Sequence, residues 1–136
     1  MFSARRAVPV VAEVDMLMVF TERLQKVLET VEGSKAVAII GRDGIAVERL
    51  AVSDEPNLDL ATAQYTDIAK KLQLANDELE AGPLKEMIQR TERYIVVLTT
   101  ITQEYFLMLV LGQDGSLGRA RFELRKAAAA LYEELA

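Results

Sequence analysis

Three runs of the chain, AVAII (36–40), YIVVL (94–98) and YFLMLVL (105–111), are apolar at every position with no polar alternation. Runs of this length with β-branched and aromatic content are strands, and a strand apolar on both sides must be covered on both sides. Two further strand-like stretches, Ile45 to Ala51 (IAVERLA) and Leu84 to Glu92 (LKEMIQRTE), mix in polar residues. The first three are therefore central and the last two peripheral. Leu84 to Glu92 becomes an edge strand whose open hydrogen bonds face water or pair with another chain.

The covering layers are three helical patterns. From Asp15 to Glu32, Leu17, Phe20, Leu24, Val27, Leu28 and Val31 recur at spacings of three and four, and Gly33 stops the helix. Arg42-Asp43-Gly44 then reverses the chain between the first two strands, because Asp-Gly supplies the positive φ of a tight turn. After the polar break 53–57, a second helical period runs to about Glu80. Its strongest apolar arc, Ala61, Tyr65, Ile68, Leu72, Ala75 and Leu79, is expected to pack inward, with Gly82 and Pro83 ending the helix. In the last helix Leu117, Ala120, Leu124, Ala127, Ala128, Leu131 and Leu135 form the stripe. The order is α-β-β-α-β-β-β-α, with the long second helix on one face of the sheet and the first and third on the other. At 136 residues the core needs no disulfide or metal, since folding at this length buries roughly two-thirds of the unfolded surface.

Composition removes most catalytic chemistry. The chain has no Cys and no His. That excludes a zinc finger, a thiolate nucleophile and any imidazole base and leaves carboxylates, Lys, Tyr and four serines; no metal, cofactor or catalytic residue is expected. An enzyme working through Lys or carboxylates is the further reading, which would need a deep pocket with strongly shifted titrating groups. A net charge of −5 argues against nucleic acid as partner, because phosphate neutralisation needs a basic face. At the N-terminus Arg5 and Arg6 precede a short apolar run, but Glu13 and Asp15 interrupt it before a signal or membrane segment is reached. Residues 1–14 read as an arm leading into a domain over 15–136, in a cytoplasmic protein without membrane insertion. Gly112, Gly115 and Gly118 precede a helix but lack the Lys and Ser/Thr of a phosphate loop, so they read as a turn. Glu48, Glu55 and Asp59 do not have the spacing of a metal loop.

Two features admit more than one reading. Met16-Leu17-Met18-Val19-Phe20 is apolar around a whole helical turn, which fits either fuller burial or contact with the arm or a partner. Arg119 and Arg121 sit near the positive end of the last helix and Glu133 and Glu134 near its negative end, against the dipole. Nearby carboxylates could offset the arginines, or the arginines could meet an acidic partner.

The hairpin AVAIIGRDGIAVERL, the strand-turn-strand IQRTERYIVVL and the closing LGQDGSLGRARFELRKAAAAL, in this order and spacing, resemble a Roadblock/dynein-light-chain domain over about residues 15–135. Within that family the bacterial MglB-like regulators of small Ras-like GTPases are the most similar in length and style. The resemblance implies a five-stranded antiparallel sheet in the order 2-1-5-4-3 and a homodimer formed through the third strand and second helix. It implies a non-catalytic adaptor or regulator of a Ras-like GTPase, with a scaffold subunit that leaves hydrolysis untouched as the alternative. Carried onto this chain, Leu84, Glu86, Met87, Ile88 and Arg90 are the dimer residues. The outer face of the second helix is the partner platform, with Ala63, Thr66, Lys70 and Leu74 opposite the expected inward arc and Asp67 and Lys71 on its flank. An ordinary solvated helix face is the competing reading of the same residues.

Overall fold

The computed structural model describes residues 10–135. Eight elements follow in the expected order: α1 (Val10–Thr30), β1 (Ser34–Gly41), β2 (Ala46–Ala51), α2 (Leu58–Glu78), β3 (Glu86–Arg90), β4 (Tyr94–Thr100), β5 (Tyr105–Gly112) and α3 (Leu117–Leu135). The strands form one antiparallel sheet in the order β2-β1-β5-β4-β3. The expected arm over 1–14 falls partly outside the described residues, and residues 10–14 belong to α1.

The three uniformly apolar runs are β1, β4 and β5, and each is buried along nearly its whole length. The mixed strands β2 and β3 are the two edges. Alternate side chains divide the sheet into two cores. On one face Val37, Ile39, Ile95, Val97, Leu107, Leu109 and Leu111 meet Phe20, Leu24 and Val27 of α1, Val31 just after it, and Ala120, Leu124, Ala127 and Leu131 of α3. On the other, Ala36, Ala38, Ile40, Val96, Leu98, Phe106, Met108 and Val110 meet Leu58 and Ala69 of α2. No helix among the described residues is long and apolar enough to cross a membrane.

The glycine turns close the layers. Gly33 has φ +87°, and a Cβ built on it would lie 2.6 Å from the Gly115 Cα. The Gly112 amide donates to the Gly33 carbonyl. The α1–β1 and β5–α3 turns thus touch through bare backbone, which only glycine permits on both sides. This is the turn expected for Gly112 to Gly115. The second helix ends sooner than expected: Glu80, with φ +53°, takes the left-handed position, and Gly82 follows in the linker.

The second helix also presents a different face to the sheet. Its buried residues are Leu58, Thr62, Thr66 and Ala69, about a quarter turn from the apolar arc expected to pack inward. Small side chains let the helix lie close to the sheet, and its large ones stay outside: Ile68 is 41% exposed and Leu72 38%, with Leu79 and Ala75 exposed beyond them.

Candidate functional site

Rotation of α2 divides its surface into two unlike flanks. One carries Ala61, Tyr65, Ile68, Leu72, Ala75 and Leu79 and is largely apolar. It faces the β3 side of the sheet, because the Tyr65 hydroxyl donates to the Gln89 side-chain oxygen. The linker after α2 returns along the same helix: Gln73 Oε1 accepts the Leu84 amide at 2.7 Å, and the Leu84 carbonyl accepts from Thr100 Oγ1. The chain is thereby led into β3, which pairs with β4 on one side and leaves its other side open.

The third strand spans Glu86–Arg90 rather than the expected 84–92, so Leu84, whose amide is taken by Gln73, lies ahead of it, and the residues singled out from sequence have different roles. Leu84 and Met87 pack half-buried against the α2-side core. Ile88 and Arg90 are exposed. Glu86 is tied to α3: Arg121 Nη2 donates to its Oε1 at 2.8 Å and Nε to its Oε2 at 3.0 Å. Hydrogen bonding to Glu86, reinforced by its charge, raises the pKa of the Arg121 guanidinium and keeps it protonated. Arg119 lies 3.6 Å from Glu123, a side chain buried between α1 and α3 that Lys126 also approaches. Both arginines at the unfavourable end of α3 are thus offset by carboxylates, one of them within α3 itself and the other on β3.

On the opposite flank and crest of α2, Ala63, Asp67, Lys70, Lys71 and Leu74 are exposed, with Lys71 and Asp67 paired at 3.6 Å. Thr66 does not belong with them. It is 2% exposed, points to the sheet, and its hydroxyl has no hydrogen-bond partner. Its burial follows from the face that α2 turns to the sheet, which also carries Leu58, Thr62 and Ala69. The β1–β2 turn leans on the same place, since a Cβ on Gly44 would lie 3.5 Å from the Ala63 Cα. On α1, Phe20 is buried while Met16, Leu17 and Met18 remain exposed, so the apolar turn is not absorbed by the described residues.

Among the described residues no three acidic side chains could hold a metal. Glu48, Glu55 and Asp59 have separate partners in Thr21, Arg93 and Arg49. The prominent features are surfaces: an apolar helix flank, an open strand edge and a mixed outer face.

No family model matches the chain, and no curated protein does. Solved structures do. An MglB with tetrameric arrangement superimposes with a TM-score of 0.80 at 21% identity, over 87% of this chain and 88% of that one. A Roadblock/LC7 domain from Streptomyces avermitilis gives a TM-score of 0.75 at 10% identity, over 83% and 94%. MglC from Myxococcus xanthus is 32% identical over 85% of this chain and 98% of its own, with a TM-score of 0.62. The chain belongs to the Roadblock family. The strand order β2-β1-β5-β4-β3 and the helices on both faces are the Roadblock fold. The fold itself carries no function; the charged and apolar side chains on α2, β3 and α3 bear on it.

Proposed function

We propose that this Roadblock domain is a non-catalytic homodimeric regulator that binds a small Ras-like GTPase and modulates its hydrolysis or conformation. The observation that carries the reading is the apolar flank of α2 beside the open edge of β3. Ile68 and Leu72 stand beside the open edge of β3, whose Met87 and Gln89 face α2 while Glu86 and Ile88 face the α3 side, and a second copy related by a two-fold axis that adds its own β3 to this edge covers the edge and the apolar flank together. The tetrameric arrangement named for an MglB structure supports self-association of such a domain.

In a pair joined this way the outer faces of the two α2 helices form one surface, with Ala63, Asp67, Lys70, Lys71 and Leu74 repeated on it. The GTPase as partner rests on the family. A regulator of this kind needs no reactive side chain of its own, because positioning the GTPase's groups over its nucleotide supplies rate.

The test is affinity capture from native extract with the tagged chain, run with GDP and with a non-hydrolysable GTP analogue. A small GTPase retained preferentially in one nucleotide state, and lost with Lys70→Glu/Leu74→Asp, is the expected result, since unequal affinity for two states is what shifts their populations. A complex retained regardless of nucleotide and lacking a GTPase refutes the regulator and leaves the scaffold.

A further inference from the structure

On the α3 side of the molecule a cleft of about 850 Å³ opens between the segment leading into β3, the end of β4 and the outer face of α3. It is within the size range of pockets for small organic ligands. Leu84, Ala128 and Tyr132 give it apolar walls, and Lys85 and Arg125 stand on its rim. Neither cation forms an ion pair among the described residues. The carboxylate in the lining, Glu86, is already held by Arg121. Thr99, only 7% exposed, also lines the cleft, and its hydroxyl has no hydrogen-bond partner. Two cations without an ion pair, Arg125 giving only its Nε to the Arg121 carbonyl at 3.4 Å, and an unsatisfied hydroxyl beside apolar walls call for an anion with an apolar body.

We infer that this cleft binds a small monocarboxylate carrying an aliphatic or aromatic body, with Arg125 and Lys85 on the carboxylate and Tyr132 and Ala128 against the body. A carboxylate suits the planar guanidinium fork of Arg125. A phosphate dianion suits the place less well. The cleft lies against the second half of α3, away from its N-terminal amides, where the helix dipole disfavours concentrated negative charge. The cleft does not involve the apolar flank of α2 or the outer face proposed for the GTPase; it shares Leu84 and Glu86 with the segment proposed to pair with a second copy, and both face the cleft rather than offering the strand's open edge.

The experiment is an amide-resolved NMR titration of the full chain with decanoate below its micellar concentration, with decan-1-ol and inorganic phosphate as controls. Decanoate should shift the amides of Lys85, Thr99 and Ala128 saturably. Lys85→Gln/Arg125→Gln, which alters exposed side chains only, should weaken it about ten- to hundredfold, the range for lost charged hydrogen bonds. Decan-1-ol and phosphate should each bind at least about tenfold more weakly than decanoate. The inference is overturned if decanoate gives no saturable shift, if the shifts fall on Ile68 and Leu72 of α2, or if the double variant binds decanoate as the unaltered chain does.

Discussion

Thr66→Val isolates the orientation of α2 in a single side chain. Read from sequence, Thr66 lies on an outer face, where a substitution changes stability by no more than about 0.5 kcal/mol. In the structure it is 2% exposed with an unpartnered hydroxyl against the apolar side of the sheet. A buried hydroxyl without a partner costs about 1–3 kcal/mol, and valine keeps the shape of threonine while removing it. Helix propensities of the two residues are similar, so the backbone contributes little. The net expectation is a gain of about 1–2 kcal/mol, or several degrees in melting temperature for a chain of this length. Thr62 supplies the control one turn earlier, because its hydroxyl does have a partner, the Asp59 carbonyl at 3.0 Å. Thr62→Val loses that bond and should be neutral or destabilised. Urea unfolding of the three proteins at one fixed concentration measures both effects. A Thr66→Val protein unchanged in stability puts the residue back on the surface. That result refutes the orientation argued for α2, whereas a protein destabilised by about 1 kcal/mol or more shows a buried hydroxyl that is bonded and refutes only its lack of a partner.

Two further substitutions test the local structure. Gly33→Ala forces a side chain into a position with φ +87° and 2.6 Å from the Gly115 backbone. It should cost at least about 1–2 kcal/mol from the conformation alone, with the contact adding to that, and chemical denaturation reads the loss. Asn57→Ala removes the side-chain oxygen that accepts the Leu60 amide at 3.0 Å at the start of α2. It should cost about 1 kcal/mol, seen in the same assay.

What could be read from the sequence was whatever depends on local pattern. Unbroken apolar runs fixed which strands are central, polar admixture marked β2 and β3 as edges, and glycines placed the turns. Periodicity located all three helices, the buried stripe of α3 and that of α1 apart from Leu17, which is exposed. It failed on the facing of α2 for a physical reason. The strongest apolar arc shows where large hydrophobic residues are, but this helix approaches the sheet on Thr62, Thr66 and Ala69, whose small size allows close contact. Its large apolar residues are left for the flank, which moves Thr66 from platform to interior. The other findings join positions far apart in the chain. Arg121 meets Glu86 across 35 residues, and the cleft on the α3 side draws Lys85, Thr99 and Arg125 from three separate segments. No spacing rule within one element carries such a signal; only the fold brings these residues together.

The account centres on the apolar flank of α2 and the open edge of β3 as a surface for a second copy of the chain. Sedimentation velocity over a range of concentrations, comparing the unaltered chain with Ile68→Lys/Leu72→Lys, tests it directly. Burying a leucine or isoleucine side chain is worth about 1.5–3 kcal/mol, and a lysine in its place brings like charges together across the two-fold axis. The account predicts a dimer for the unaltered chain and a folded monomer for the variant. An unaltered chain that remains monomeric at every concentration, or a dimer that survives both lysines, contradicts it.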